Sequence, residues 1–172
     1  MTGSALTYQP SLVAPLASFE PISIEHLNCC LLAWGHKMGP LERPFAQLDR
    51  AYGLFHEGRC VGVAATSPLV RETAAGLTRT ECCELSRVCA ARADLCRVVL
   101  RLWREFVFPV LGKPWAVSYQ DAAEHSGNLY RFDGWVRLGA SRSGTDSRSG
   151  RRGRRKVIWG WNADPSARKA AT

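Results

Sequence analysis

Residues 115–139, WAVSYQDAAEHSGNLYRFDGWVRLG, decide how the chain is read. Trp115, Val117 and Tyr119 alternate with small or polar residues, the two-residue period of a strand. That strand delivers Tyr119 and Asp121 to its C-terminal end. A short helical segment then carries His125 and Tyr130, and a turn at Asp133-Gly134 feeds a second strand, Trp135 to Ala140. Polar side chains gathered where a strand gives way to a helix are where open α/β sheets build their sites. The stretch therefore points to a site as well as to a fold.

Downstream, the charge is uneven. Lys plus Arg number 23 against 15 Asp plus Glu, a net +8. Between Arg142 and Lys156 seven basic residues (Arg142, Arg148, Arg151, Arg152, Arg154, Arg155 and Lys156) face one acid, Asp146, which is +6 of the +8. The rest of that segment is Gly, Ser and Thr, so 141–156 reads as a flexible basic loop. Lys156 leads into Val157-Ile158-Trp159-Gly160-Trp161, a terminal strand, so the loop joins two strands rather than forming a tail. Such a loop suits the phosphate backbone of nucleic acid and attracts it without reading sequence. A loop that only aids solubility is the alternative. Trp159 and Trp161 share a strand face and read as core rather than as base-stacking platforms.

Upstream, residues 1–20 are Pro-, Ser- and Ala-rich and read as a loose arm. Ile24, Leu27, Leu31 and Trp34 recur at helical spacing, which predicts a helix over Ile24–His36 with Ser23 as N-cap. Met38–Asp49, with Gly39, Pro40 and Pro44, is a loop. Ala51–Phe55 and Arg59–Ala65, separated by His56-Glu57-Gly58, predict a β-hairpin. Thr73–Thr80 is a polar connection and Cys82–Ala90 a strand. Ala93–Val107 is the clearest helix, with Leu95, Val98, Val99, Leu102 and Phe106 as its apolar stripe. Arg97, Arg101 and Arg104 share its opposite side, suited to gripping phosphates. The expectation is one α/β (α+β) domain over 21–163, with a tail at 164–172. Its mixed, mostly antiparallel central sheet carries helices on both faces.

The chain is long enough for one domain with a real core. No apolar run approaches the ~20 residues that a membrane span needs. No basic segment followed by an apolar one opens the sequence, so the expected compartment is the cytoplasm. Seven cysteines, Cys29, Cys30, Cys60, Cys82, Cys83, Cys89 and Cys96, form no Cys-x-x-Cys pair and sit within apolar patterns. Most of them read as small buried hydrophobes rather than as a zinc or disulfide framework.

Tyr130-Arg-Phe-Asp-Gly-Trp135 matches the Tyr-x-x-x-Gly-aromatic pattern near the end of GNAT-type acyltransferases, and the element order resembles that superfamily. The resemblance implies two central strands that splay apart to admit the pantetheine of acetyl-coenzyme A. More narrowly, the chain resembles the Mom DNA-modification proteins of Mu-like phages, a divergent GNAT-type branch. Trp34-Gly-His36, Glu84-Leu-Ser-Arg-Val-Cys89, Ser118-Tyr-Gln-Asp121, His125-Ser-Gly127 and Tyr130 carry that likeness over roughly 24–161. It implies conversion of the adenine N6 amine in double-stranded DNA to a methylcarbamoyl form, in the host bacterial cytoplasm, protecting phage DNA from restriction. One departure stands out. The Gln/Arg-x-x-Gly-x-Gly/Ala loop that holds a diphosphate at the helix N-terminus is replaced by Ala90-Ala-Arg-Ala-Asp-Leu-Cys96, without glycine. Arg92 and Arg97 stand there as substitute phosphate contacts.

The residues can also be weighed alone. Asp121, just beyond a strand end, is a general base, a metal ligand or a helix cap. His125 is a proton shuttle or a surface residue. His36 is catalytic or a cation at a helix C-terminus. His36, Asp121 and His125 together could supply a two-histidine, one-carboxylate iron set. Strict alternation puts Glu84 and Ser86 on one face of their strand and Arg87 on the other, each charge meeting a partner or a ligand.

Adenine's amine is a poor nucleophile that needs a base and a positioned electrophile, and it must leave the stack to react. Asp121 is assigned proton abstraction, with Tyr119, His36 and His125 beside it. Glu84, Ser86, Arg87, Ser118, Gly127 and Tyr130 are assigned to binding. Arg97, Arg101, Arg104, Arg148, Arg151, Arg152, Arg154, Arg155 and Lys156 are assigned to DNA. Acetyl-CoA, a related small donor and iron are the cofactors considered, and a homodimer is allowed. The competing readings are a conventional acetyl-CoA-dependent GNAT acyltransferase on a small-molecule or protein amine, and a catalytically idle DNA-binding protein on the same scaffold.

Overall fold

The computed structural model describes residues 16–42, 51–141 and 156–171. Its strands are β1 (Ala17–Ile22), β2 (Ala51–His56), β3 (Arg59–Ser67), β4 (Thr73–Ala74), β5 (Leu77–Thr78), β6 (Cys82–Ala90), β7 (Trp115–Asp121), β8 (Val136–Ala140) and β9 (Lys156–Asn162). The helices are α1 (Ile24–Ala33), α2 (Leu95–Leu102), α3 (Asn128–Arg131) and α4 (Pro165–Ala170). Seven strands form one sheet in the order β1-β2-β3-β6-β7-β9-β8, and β4-β5 is a separate small hairpin. Every neighbouring pair in the large sheet is antiparallel except β6 and β7, which run parallel. The α/β class and mixed sheet expected from the sequence are what the chain adopts.

Alternation along β3 divides the core between two layers. Val63 and Ala65 face α1, joining Leu27, Cys30, Leu31 and Cys89, whereas Ala64 faces α2 with Val99, Leu100 and Trp103. Helices thus cover both faces. Ser23 caps α1 as expected, its side chain accepting from the His26 N–H at 3.2 Å. Among the described residues no helix is long and apolar enough to cross a membrane.

Several local expectations are corrected. Residues 17–20, read as part of a loose arm, pair with β2, and Phe19 stacks on Tyr52 at 5.5 Å between centroids. The 73–80 connection closes on itself as β4-β5. The predicted Ala93–Val107 helix is α-helical only to Leu102, continues as a π turn over Trp103–Val107 and ends in a 3-10 turn over Phe108–Leu111. The buried stripe is Val99, Leu100, Trp103 and Val107, and Val98 and Phe106 are exposed. Trp103 anchors it, fully buried with its indole N–H donating to Thr66 Oγ1 at 2.8 Å. His125 lies in the turn before α3, which is only four residues long. The 164–172 tail contains α4, capped by the Asp164 side chain. The first fifteen residues of the arm, and Arg142 through Arg155 of the basic loop, lie outside the described residues.

Candidate active site

The parallel strands β6 and β7 pair only from Cys82↔Trp115 to Glu84↔Val117. Beyond that point each continues with its other neighbour, β3 or β9, and the two form a fork in the middle of the sheet. A bulge shapes one arm. Ala65 pairs with Arg87 and Thr66 with Leu85, so Ser86 is an extra residue, its hydroxyl donating to Ala65 O at 3.0 Å. An inserted residue reverses the alternation on either side of it. Glu84 and Arg87 therefore share the α1 face, where strict alternation had set them on opposite faces.

That face carries Glu84, Arg87, Tyr119 and Asp121. Glu84 pairs across the sheet with Ser67 and Val117, and Tyr119 and Asp121 follow Val117 at two-residue steps on the same face. Arg87 is buried, with its Nε donating to Gly39 O at 3.3 Å and Nη1 to Ser86 O at 2.8 Å. The segment after α1 lies over this face. Lys37 forms an ion pair with Glu124, and Lys156 Nζ is 3.9 Å from Met38 Sδ. His36 lies within electrostatic reach of Arg87 and His125. Burial, then Arg87, then His125, hold the His36 imidazole down to about 4, so it is neutral at physiological pH. The Nδ1 atom of His36 and the Oγ of Ser67 are buried and meet no hydrogen-bond partner among the described residues. Buried polar atoms of this kind are candidates for ligand contacts. Asp121 Oδ1 accepts from the Ala123 N–H at 3.1 Å and so caps the turn that carries His125. Lys156, where the basic segment rejoins the sheet, is the β9 residue directly opposite Asp121.

The α2 face of the fork holds a second, drier group. Ser118 Oγ donates to Leu85 O at 2.9 Å and lies 2.8 Å from the Tyr130 hydroxyl. Burial pushes the Tyr130 phenol up, and the bond to Ser118 offsets this only in part. The ring stacks on Trp159 at 5.6 Å and meets Trp135 edge-on at 5.4 Å. Gln120 bridges Trp159 Nε1, at 2.7 Å, to the His125 carbonyl. Gly127 closes against it with φ +78°, where a Cβ would stand 2.7 Å from Gln120 Oε1. The binding residues assigned from the sequence thus divide between faces, with Glu84 and Arg87 on one and Ser118, Gly127 and Tyr130 on the other. Ser67 and Gln120 were not singled out. Gln120 alternates with Tyr119 in the quoted stretch and could have been found; Ser67, at a strand end with no motif, could not.

Arg97 and Arg101 of α2, both exposed, and Arg104 of the following π turn contact the 132–134 turn or Trp161. Arg97 donates to Phe132 O at 2.9 Å. Arg104 Nη1 meets the Asp133 carboxylate at 2.8 Å while its guanidinium lies 4.4 Å over the Trp161 ring. Arg101, largely exposed, approaches Asp133 Oδ1 at 3.5 Å. At the start of α2, Arg92 forks onto Asp94 at 2.5 and 3.1 Å. A carboxylate thus stands where the glycine loop would present N–H groups to a diphosphate. The iron set is not assembled: among the described residues, His36, Asp121 and His125 do not bring their ligand atoms within reach of one ion.

A central sheet forked between two parallel strands, with a Tyr-x-x-x-Gly-aromatic turn behind it, is the fold of the GNAT acetyltransferases. The ribosomal-protein-S18-alanine N-acetyltransferase from Escherichia coli superposes with a TM-score of 0.58 at 17% identity, over 85% of this chain and 93% of that one. A probable GNAT-family acetyltransferase from Chromobacterium violaceum gives 0.59 at 16% identity, over 87% and 89%. Arabidopsis thaliana Naa50, in complex with the bisubstrate analogue CoA-Ac-MVNAL, gives 0.53 at 8% identity, over 86% and 99%. Compared by sequence, the chain matches no protein-family profile and no curated protein.

Proposed function

We propose that this protein is an N-acyltransferase, moving a small acyl group from an activated donor to an amine held at the fork between β6 and β7. The carrying observation is the fork itself, because polar groups converge on both of its faces within an otherwise apolar sheet. In this reading Asp121 takes the proton from the attacking amine, and Tyr119 and His125 line the amine's approach. Neutral His36 and the Ser67 hydroxyl offer hydrogen bonds to the bound molecule, and Arg87 steadies the negative charge that develops on the acyl oxygen. The Ser118–Tyr130 hydroxyl pair stands behind the donor. A pantetheine arm suits the opening between the strands, but the Arg92–Asp94 pair does not suit a coenzyme A diphosphate at the α2 N-terminus. The donor is therefore given only as an activated acyl group.

A second reading keeps the site and names the acceptor as the adenine N6 amine of double-stranded DNA, converted to a methylcarbamoyl (glycinamide-like) form that resists restriction in a bacterial cytoplasm. It is favoured by the concentration of charge between Arg142 and Lys156, together with the register that sets Lys156 opposite Asp121. A phosphate backbone drawn to that segment would bring bases to the base-bearing end of β7. Expression of the full chain in a bacterium, digestion of its DNA to nucleosides and mass spectrometry test both readings. A heavier deoxyadenosine supports the DNA reading, and its added mass identifies the group. An unchanged profile, with acyl transfer from a thioester to another amine, supports the broader reading alone. Neither product from soluble protein sinks both.

A further inference from the structure

Away from the fork, three metal-ligating side chains meet where α1 packs on β3. His26 and Cys30 are four residues apart on α1 and so share one of its faces, and Cys60 stands on β3 against them. One ligand atom from each lies within 4.8 Å of the other two. The two sulfurs are 3.8 Å apart. Two thiolates on one tetrahedral zinc, each bonded at about 2.3 Å, stand about 3.8 Å from each other, so the pair already has the spacing of a ZnS2 unit. The His26 ring rests edge-on against Phe55, 5.9 Å between centroids, beside the thiols. Cys30 is buried, Cys60 half-buried and His26 exposed, which turns the fourth corner of a tetrahedron toward solvent.

We propose that His26, Cys30 and Cys60 form a Zn2+ site of two thiolates and one imidazole, with a solvent-facing fourth position. Thiolate and imidazole donors in a tetrahedral array select zinc over magnesium or calcium. Without the ion, the Cys30 thiol donates to Cys60 Sγ and the Cys60 thiol to Gly62 O at 3.6 Å. Binding displaces both thiol protons to solvent as the two Zn–S bonds form. The ion ties α1 to β3. Because His36 follows directly on α1, the same tie fixes the segment that covers the fork.

The test uses the full chain, purified under reducing conditions, stripped with a chelator and titrated with Zn2+, then with Co2+ as a spectroscopic probe. One equivalent of Zn2+ is expected, and Co2+ should give thiolate-to-metal charge-transfer and tetrahedral d–d bands. His26→Ala alters an exposed residue and leaves the core intact, and it should weaken Zn2+ binding by about 100-fold or more. Cys60→Ser should reduce the charge-transfer band. No stoichiometric zinc, equal binding by wild type, His26→Ala and Cys60→Ser, or a Cys30–Cys60 disulfide that takes no metal after reduction would each overturn the proposal.

Discussion

The Tyr130 hydroxyl donates to Ser118 Oγ, 2.8 Å away, because the single Ser118 proton is already given to Leu85 O at 2.9 Å. Leu85 is the first β6 residue beyond the stretch paired with β7, so this two-hydroxyl chain closes the α2 side of the fork. The direction of donation ranks two substitutions. Tyr130→Phe removes one donor and leaves Ser118 and Leu85 bonded, at about 1 kcal/mol. Ser118→Ala leaves the buried Tyr130 hydroxyl without its acceptor and takes the side-chain donor from Leu85 O, at about 2–3 kcal/mol. Urea midpoints at constant m should rank Ser118→Ala below Tyr130→Phe, and the reverse order would refute this arrangement.

Gly127 is a position intolerant of a side chain near the site. Its φ of +78° disfavours any L residue, and a Cβ would press on both Gln120 Oε1 and the Trp159 ring. Gly127→Ala should cost about 2–3 kcal/mol, combining backbone strain with a broken Gln120 bridge. Trp159 loses its indole partner in the same step, so tryptophan fluorescence should change in the folded state as well as the denaturation midpoint. A variant with wild-type midpoint and emission would exclude this packing.

Asp133 has a fully buried side chain that accepts from Arg104 at 2.8 Å and from Trp135 Nε1 at 3.2 Å. Asp133→Ala removes one carboxylate from Arg104, which is 12% exposed and keeps its pairing with Glu105, and leaves the buried Trp135 Nε1 without its acceptor, so it should cost about 2–3 kcal/mol. Arg101→Ala removes a partner that is 56% exposed at 3.5 Å and should cost less than about 1 kcal/mol. Denaturant unfolding of the two variants gives the contrast directly. Comparable losses would mean that Arg101, not Arg104, holds the carboxylate.

Regular features were legible from the sequence, and interruptions were not. Alternation in Trp115–Asp121 and Cys82–Ala90, and the Ser23 cap, carry their own signal because each is local. The Ser86 bulge depends on β3, the partner strand, so strict alternation misassigned Arg87. Trp103 bonds Thr66 on another strand, so the helix alone did not show that Val99, Leu100 and Trp103 form its buried stripe. The partners of Arg104, Asp133 and Trp161, lie on other elements, so nothing within the helix announces them. His36, Tyr119, Asp121 and His125 were chosen on residue type at element ends, and Glu84 as a charge within an apolar strand; alternation from Val117 sets Glu84, Tyr119 and Asp121 on one face. The Cys30–Cys60 approach joins two elements and leaves no spacing to read along the chain.

Asp121 has two duties that one substitution can separate. Its Oδ1 caps the Ala123 N–H, and in the proposed reaction its charge takes a proton. Asp121→Asn keeps an accepting Oδ1 and should hold stability within about 0.5 kcal/mol. Loss of the base should lower product formation by about 100-fold or more. Asp121→Ala should show the same loss of product and also a cost of about 1 kcal/mol from the missing cap. An active Asp121→Asn enzyme would remove the carboxylate from the chemistry, and DNA retention measured beside it would show whether binding survives.

His36 makes stability depend on pH in a definite direction. Its folded pKa, lowered to about 4 by burial and by Arg87 and His125, lies below the ordinary value of 6.5. Between those values the unfolded chain binds the proton and the folded chain does not, so ΔG of unfolding rises with pH across this window. The contribution is complete above about pH 6.5 and is lost as pH falls toward 4. His36→Gln cannot titrate and should flatten this part of the stability profile, leaving the carboxylate-driven loss at lower pH in place. Urea midpoints of wild type and variant from pH 4 to pH 7 would measure the difference, and ring-proton NMR would follow His36 itself. Parallel profiles, or a His36 resonance titrating near 6.5, would place the imidazole in water rather than beneath the segment that covers the fork.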